Sequence, residues 1–257
     1  MRIIAGPCQH ESLAQSAQIA QECKRVCESY GYEYYFKASY DKANRSSVNG
    51  ERGVGLEATM FDFRAMKETM DIKTVTDVHS VFDLDTIIYM YEDAVDVLQI
   101  PALLCRQTDL IQAACATDKI VNIKKGQFMA PWDMNGVLSK TEDAKEVWIT
   151  ERGTSFGYNN LVVDFTGMLY MVDNLGVPIL FDGTHSTQKP SLLGEGSDGN
   201  REYVPGLTRA ASAMGINNFF LEVHADPETA PSDGPSMLHI EDFEEIIDGI
   251  YSHSYTG

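Results

Sequence analysis

The sequence predicts a single-domain (β/α)8 barrel over residues 1–257. Three observations carry this expectation. Short apolar runs alternate with helical patterns in eight successive units. The chain of 257 residues matches the roughly 250 residues that such a barrel occupies as one domain. Polar and charged side chains recur where the apolar runs end, and barrels of this kind gather their chemistry there.

The first run is 3–5, and a helical stretch follows Ser12 and lasts to Ser29. Leu13, Ala17, Ala20, Cys23 and Cys27 share one helical face of that stretch, and Ser12 with Gln15 fits a capping box. The second run, 33–38, is rich in aromatics and precedes a helix near 61–70. The third, 74–78, precedes a helix near 82–91, and the fourth, 95–100, one near 107–116. The fifth, 120–124, leads to a helical stretch between 133 and 144, and the sixth, 147–150, to one over 163–175. The seventh, 178–181, is followed by a long loop with five glycines between Gly183 and Gly206 and a helix near 205–214. The eighth run is 218–223, with a closing helix near 240–253. Strands joined by helical crossovers are parallel. A doubly wound open sheet satisfies the same alternation and stays open at this point.

Composition narrows the function. Apolar residues make up 44% and charged residues 23%, the usage of a chain with a sizeable core. The chain carries 38 acidic and 20 basic residues, a net charge of −18, and its longest basic string is Lys124-Lys125. That balance excludes nucleic acid and anionic lipid as partners. No stretch approaches the roughly 18 apolar residues of a membrane span, and the start is too short for a signal-peptide core. A cytoplasmic protein is therefore expected. The five scattered cysteines read as reduced thiols rather than a disulfide framework.

The strand ends hold Cys8, Lys37, Asp77 with His79, Gln99, Lys124 with Lys125, Glu151 with Arg152, Asp182 with His185, and Glu222 with His224. Burying so many polar groups separately is costly, so a shared pocket is the simpler account. Lys37, Lys42, Lys124 and Arg152 stand against the global negative charge. They fit a mouth that takes a phosphate or carboxylate, or alternatively a set of ion pairs with nearby acids. Cys8, His185, Glu222 and Asp233 offer thiolate, imidazole and carboxylate ligands for a divalent transition metal. Their spacing does not favour that reading, and Cys8 alone equally suits a small buried residue.

Other signals are discounted. Gly194-Glu195-Gly196-Ser197-Asp198-Gly199 matches a dinucleotide fingerprint but does not follow a strand or open a helix. It suits a mobile loop over the barrel mouth. Cys23 and Cys27 read as core thiols, and Tyr32, Tyr34, Tyr35 and Phe36 as barrel packing. Asn44-Arg45-Ser46 matches a glycosylation site only formally, since nothing indicates secretion.

Longer motifs then carry a resemblance. They include Ala5-Gly6-Pro7-Cys8, Phe36-Lys37-Ala38-Ser39-Tyr40-Asp41-Lys42-Ala43-Asn44-Arg45-Ser46-Ser47 and Leu98-Gln99-Ile100-Pro101-Ala102. They continue with Cys105-Arg106-Gln107-Thr108-Asp109, Asn122-Ile123-Lys124-Lys125-Gly126-Gln127-Phe128 and Thr150-Glu151-Arg152-Gly153. Thr184-His185-Ser186, Glu222-Val223-His224 and Ser232-Asp233-Gly234 complete the set. In these segments the chain resembles the 3-deoxy-D-manno-octulosonate 8-phosphate synthases over nearly its whole length. The resemblance implies a barrel enzyme, usually a homotetramer, that condenses phosphoenolpyruvate with D-arabinose 5-phosphate and releases inorganic phosphate. The product feeds lipopolysaccharide or a plant cell-wall sugar. Lys42, Lys124 and Arg152 then resemble the phosphoenolpyruvate grip, with Lys37 and Gln99 beside them. Asn44 and Arg45 look like contacts to the arabinose phosphate, and Arg106 like a phosphate contact supplied by a neighbouring subunit. Cys8, His185, Glu222 and Asp233 look like the metal set of the metal-dependent class, for zinc, iron or manganese; the metal-independent class has Asn where Cys8 stands. Lys42, Lys124, His185 and Asp233 are the implied catalytic residues. The sister enzymes that use erythrose 4-phosphate typically read Lys-Pro-Arg-Thr where this chain has Lys42-Ala43-Asn44-Arg45.

Overall fold

The computed structural model describes residues 1–42, 52–190, 192 and 198–254. Asn44 and Arg45 lie outside the described residues, as does most of the 194–199 glycine motif. The strands are β1 (Arg2–Gln9), β2 (Glu33–Ser39), β3 (Lys73–Asp77), β4 (Val97–Ile100), β5 (Ile120–Lys124), β6 (Glu146–Glu151), β7 (Ile179–Asp182) and β8 (Asn218–His224). Each pairs in parallel with the next, and β8 pairs back onto β1 with Gly6 opposite Glu222. That last pairing closes the barrel and removes the open-sheet alternative.

The helices that follow the strands are α1 (Leu13–Ser29), α2 (Leu56–Met70), α3 (Val81–Tyr91) and α4 (Thr108–Cys115). The remaining four are α5 (Met134–Leu138), α6 (Phe165–Asn174), α7 (Val204–Ala213) and α8 (Phe243–Ser252). Ser12 caps α1 as expected, its Oγ accepting the Gln15 amide at 3.4 Å. The reciprocal half of the capping box is not made, because the Gln15 side chain turns to His224 instead. Helix α2 begins five residues earlier than the pattern predicts, and α5 is much shorter. In α5 the chain spends Pro131 and Trp132 on a 3-10 turn, and Gly136 weakens the helix that follows. Two-residue hairpins at Thr154–Ser155 with Leu161–Val162 and at Gln188–Lys189 with Asp198–Gly199 lie beyond β6 and β7. They are too short to leave a period-2 signal.

Strand side chains alternate between the barrel interior and the helical shell. Ile4, Tyr35, Val75, Val97, Trp148, Leu180 and Phe220 form one inner apolar cluster. Their strand neighbours Ile3, Phe36, Leu98, Ile149, Phe181 and Leu221 belong to the larger core between strands and helices, with Cys23 and Cys27 from α1. The amino end of the barrel is closed by charge. Arg2 pairs with Glu146 at 3.1 Å and Glu33 at 3.5 Å, and its guanidinium lies over the Trp148 ring. Lys73 also pairs with Glu33 and lies over the Tyr35 ring.

Candidate active site

Two residues farther along six of the strands, the inner layer turns polar. Tyr35 is succeeded by Lys37, Val75 by Asp77, Val97 by Gln99, Trp148 by Thr150, Leu180 by Asp182 and Phe220 by Glu222. Lys124 joins them from β5, and all seven are buried. The period-2 geometry of strands points these residues into the lumen just above the apolar layer. They are paired there. Lys124 binds Asp182, Lys37 lies 3.6 Å from Glu222 and 3.9 Å from Asp77, and Asn122 bridges Gln99 and Thr150.

Strand β1 bends at this level. Its register against β2 shifts between Ala5 and Cys8, and Cys8 takes a left-handed φ of 63°. Gly6 makes the bend possible, since a Cβ there would sit 2.0 Å from the Lys37 carbonyl oxygen. The bulge aims Cys8 at Glu222 on the adjacent β8 and at His185 and Asp233 from the loops beyond β7 and β8. One ligand atom each from Cys8, His185, Glu222 and Asp233 lies within 4.8 Å of the others. Cys8 Sγ is 3.3 Å from Asp233 Oδ2, and His185 Nε2 is 3.3 Å from Glu222 Oε2 and 3.9 Å from Asp233 Oδ2. Asp233 also has a left-handed φ, 57°.

The donor set fits a divalent transition metal. It offers sulfur, nitrogen and two carboxylates, the mixture borderline metals take. Among the described residues, Glu222 Oε1 is buried without a hydrogen-bond partner. His185 gives Nδ1 to Asp182 Oδ2 at 2.6 Å, which turns Nε2 toward the other three. Burial, then Glu222, pushes the Cys8 thiol well above its usual range. Burial opposes the charge of Asp233, but His185 and Lys42 hold it down at about 2.

The cations crowd the same space. Lys42 Nζ lies 2.9 Å from Cys8 Sγ and 3.0 Å from the Cys8 carbonyl oxygen. Burial opposes its charge, but Cys8, Asp77, Glu222 and Asp233 together raise it above an ordinary lysine. Lys124 is different. Burial lowers it to about 8 despite Asp182, with Arg152 and Lys37 adding to the fall. Its Nζ stands 3.1 Å from the centroid of the Phe220 ring, a cation–π contact on the floor of the site. Arg152 donates to Gln188, and Gln188 in turn donates to Asp233 Oδ1 at 2.6 Å.

The DAHP synthetase I family model matches residues 1–252. The chain belongs to this family. Among curated relatives, a Rhodopseudomonas palustris protein (strain BisB5) is 47% identical over 249 residues, covering 96% of this chain and 85% of its own. A Fusobacterium nucleatum protein is 48% identical over 247 residues, covering 95% and 87%. A Caulobacter vibrioides protein is 46% identical over 249 residues, covering 96% and 85%. All three are named 2-dehydro-3-deoxyphosphooctonate aldolase.

Within this DAHP synthetase I barrel, most of the residues singled out in the sequence converge. Cys8, Lys37, Lys42, Gln99, Lys124, Arg152, His185, Glu222 and Asp233 come from seven strand ends and the loops behind them. Arg106 does not join them; it is exposed between β4 and α4, its carbonyl accepting from Lys140 at 2.9 Å. Asp77 and Asp182 are expected in the shared pocket but without a role of their own, and Gln188 and Phe220 carry no such expectation. The two-residue step from an inner apolar position finds Asp77 and Asp182. Phe220 and Gln188 leave no such signal, because an aromatic in a strand and an amide in a loop are ordinary there.

Proposed function

We propose that this chain, as one catalytic domain, condenses phosphoenolpyruvate with D-arabinose 5-phosphate. The products are 3-deoxy-D-manno-octulosonate 8-phosphate and inorganic phosphate. The observation that carries the reading is the buried cation layer set directly beside a four-ligand metal cluster at one barrel mouth. The names of the relatives support it.

Lys42, Lys124 and Arg152 grip phosphoenolpyruvate, with Lys37 and Gln99 beside them. Their contribution is to hold two mutually repelling phosphorylated substrates in a reactive orientation. No protein nucleophile is needed, because C3 of phosphoenolpyruvate attacks the aldehyde carbon. Water then adds at C2, and phosphate departs with cleavage of its C–O bond. Lys124, brought down to about 8, can hold or release a proton near neutral pH. Asn44 and Arg45 take the aldose phosphate, and Arg106 reaches it from a neighbouring subunit; its exposure in its own chain accords with that.

Cys8, His185, Glu222 and Asp233 would hold a divalent zinc, iron or manganese ion. When bound, such an ion would supply Lewis-acid chemistry for the aldehyde or the attacking water. The protein would act as a homotetramer, and exposed Phe128, Trp132, Phe156 and Tyr158 around the loops after β5 and β6 offer apolar surface for contact between copies. A cytoplasmic site of action accords with the absence, among the described residues, of a helix long and apolar enough to cross a membrane.

The test is phosphate release from phosphoenolpyruvate and arabinose 5-phosphate, with and without a strong chelator. Release that chelation abolishes and added metal restores supports both parts. Release indifferent to prolonged chelation removes the metal. Release with erythrose 4-phosphate alone removes the aldose.

A further inference from the structure

Asp182 is the most heavily engaged carboxylate at this mouth, and it belongs to neither the metal set nor the anion grip. It ends β7 and is fully buried. Its Oδ1 is fixed by the Thr184 amide at 3.2 Å, the Thr184 hydroxyl at 3.1 Å and the His185 amide at 2.9 Å. Its Oδ2 is shared: Lys124 Nζ donates to it, and so does His185 Nδ1 at 2.6 Å. The Thr184 hydroxyl that donates to Asp182 also accepts the Glu222 amide at 3.1 Å. One carboxylate thus touches the anion-binding lysine on one side. On the other it orients one metal ligand directly and the backbone of a second through Thr184.

We propose that Asp182 is a positioning residue that makes metal binding and phosphoenolpyruvate binding strengthen each other. This rests on the metal reading above. An ionised carboxylate only accepts, so His185 carries its proton on Nδ1 and presents a bare Nε2 to the cluster. When an anion draws the Lys124 ammonium toward itself, Oδ2 is left more fully to His185. A stronger Nδ1–H···O contact makes Nε2 a better donor to metal. In the other direction, a cation on Nε2 polarises Nδ1–H toward Asp182 and loosens the hold on Lys124, freeing it for the anion. Linkage requires the two effects to be equal.

The test measures zinc affinity by competition with a chromophoric chelator, at zero and at saturating phosphoenolpyruvate. Calorimetric titration of phosphoenolpyruvate into the zinc-free and zinc-loaded protein measures the reciprocal effect. In the wild type, saturating phosphoenolpyruvate tightens zinc about five-fold or more, with the same factor in reverse. Asp182→Asn weakens zinc about 10–100-fold and brings the mutual factor close to one. Lys124→Met gives the opposite change: with Oδ2 left to His185 alone, zinc binds more tightly than in the wild type without any anion. A residue that merely held the fold together would not move the two variants in opposite directions. Wild-type coupling in Asp182→Asn overturns the proposal, and so does Lys124→Met that fails to tighten zinc. The second result decides alone if Asp182→Asn does not fold. A wild type that takes up zinc indifferently to phosphoenolpyruvate sinks the coupling and leaves the metal reading standing. A wild type that takes up no metal sinks both.

Discussion

Replacing Phe220 by Leu separates two roles of one ring. Phe220 is fully buried in the inner apolar cluster with Ile4, Tyr35, Val75, Val97, Trp148 and Leu180. Its face also lies 3.1 Å from Lys124 Nζ, ring centre to nitrogen, and its centroid lies 5.6 Å from that of the His185 ring. Leucine keeps most of the apolar volume, so the packing cost is ~1 kcal/mol. For a chain of this size that lowers Tm by about 2–4 °C. The electrostatic loss is larger. A desolvated cation–π contact is worth ~2 kcal/mol, and 1.36 kcal/mol corresponds to one pH unit. Burial holds Lys124 down at about 8, and losing the ring lowers it by roughly another one and a half pH units. The assay is the pH dependence of kcat/KM for phosphoenolpyruvate with the metal supplied in excess. The alkaline limb that reports a charged Lys124 moves to lower pH in Phe220→Leu. If Tm falls as expected while the limb stays in place, the ring is packing and nothing more.

Two further outcomes follow from the charges. Lys125 is buried behind the barrel wall, 3.4 Å from Glu151, and donates to the Met129 carbonyl at 3.1 Å. Lys125→Met strands the Glu151 charge and costs ~3–5 kcal/mol, while pairing it with Glu151→Gln recovers most of that; chemical denaturation of both variants checks it. The metal-free protein also loses stability in acid. Asp233, held at about 2 against an ordinary 3.8, contributes stability that is complete above its unfolded value and disappears as pH falls through its folded one. The loss falls between about pH 4 and 2 and amounts to ~2 kcal/mol; Asp233→Asn flattens it in acid-unfolding curves.

Much of this was legible in the chain, for a physical reason. Parallel strands buried on both faces give near-continuous apolar runs, so 3–5 and 178–181 stand out plainly between helical patterns. The polar residues at their ends are conspicuous because such groups are rarely buried without purpose. Burial order and partnership are not written locally. The run before it marks Asp182 as a strand-end acid but not its role, because Lys124 reaches it only when the barrel closes and His185 only through the 3-10 turn that follows β7. The bulge at Cys8 is also silent in the pattern, since it depends on how near Gly6 lets β2 approach. Asn44 and Arg45 carry part of the resemblance yet lie outside the described residues.

The charged ring of Arg2, Glu33, Lys73 and Glu146 does more than stabilise the amino end. Above it the apolar layer from Ile4 to Phe220 is sealed from solvent. The barrel is therefore a blind well rather than a passage. Whatever reaches Gln99 or Lys124 has come in past side chains carried beyond the strand ends, such as Lys42 and Arg152. It must leave by the same way.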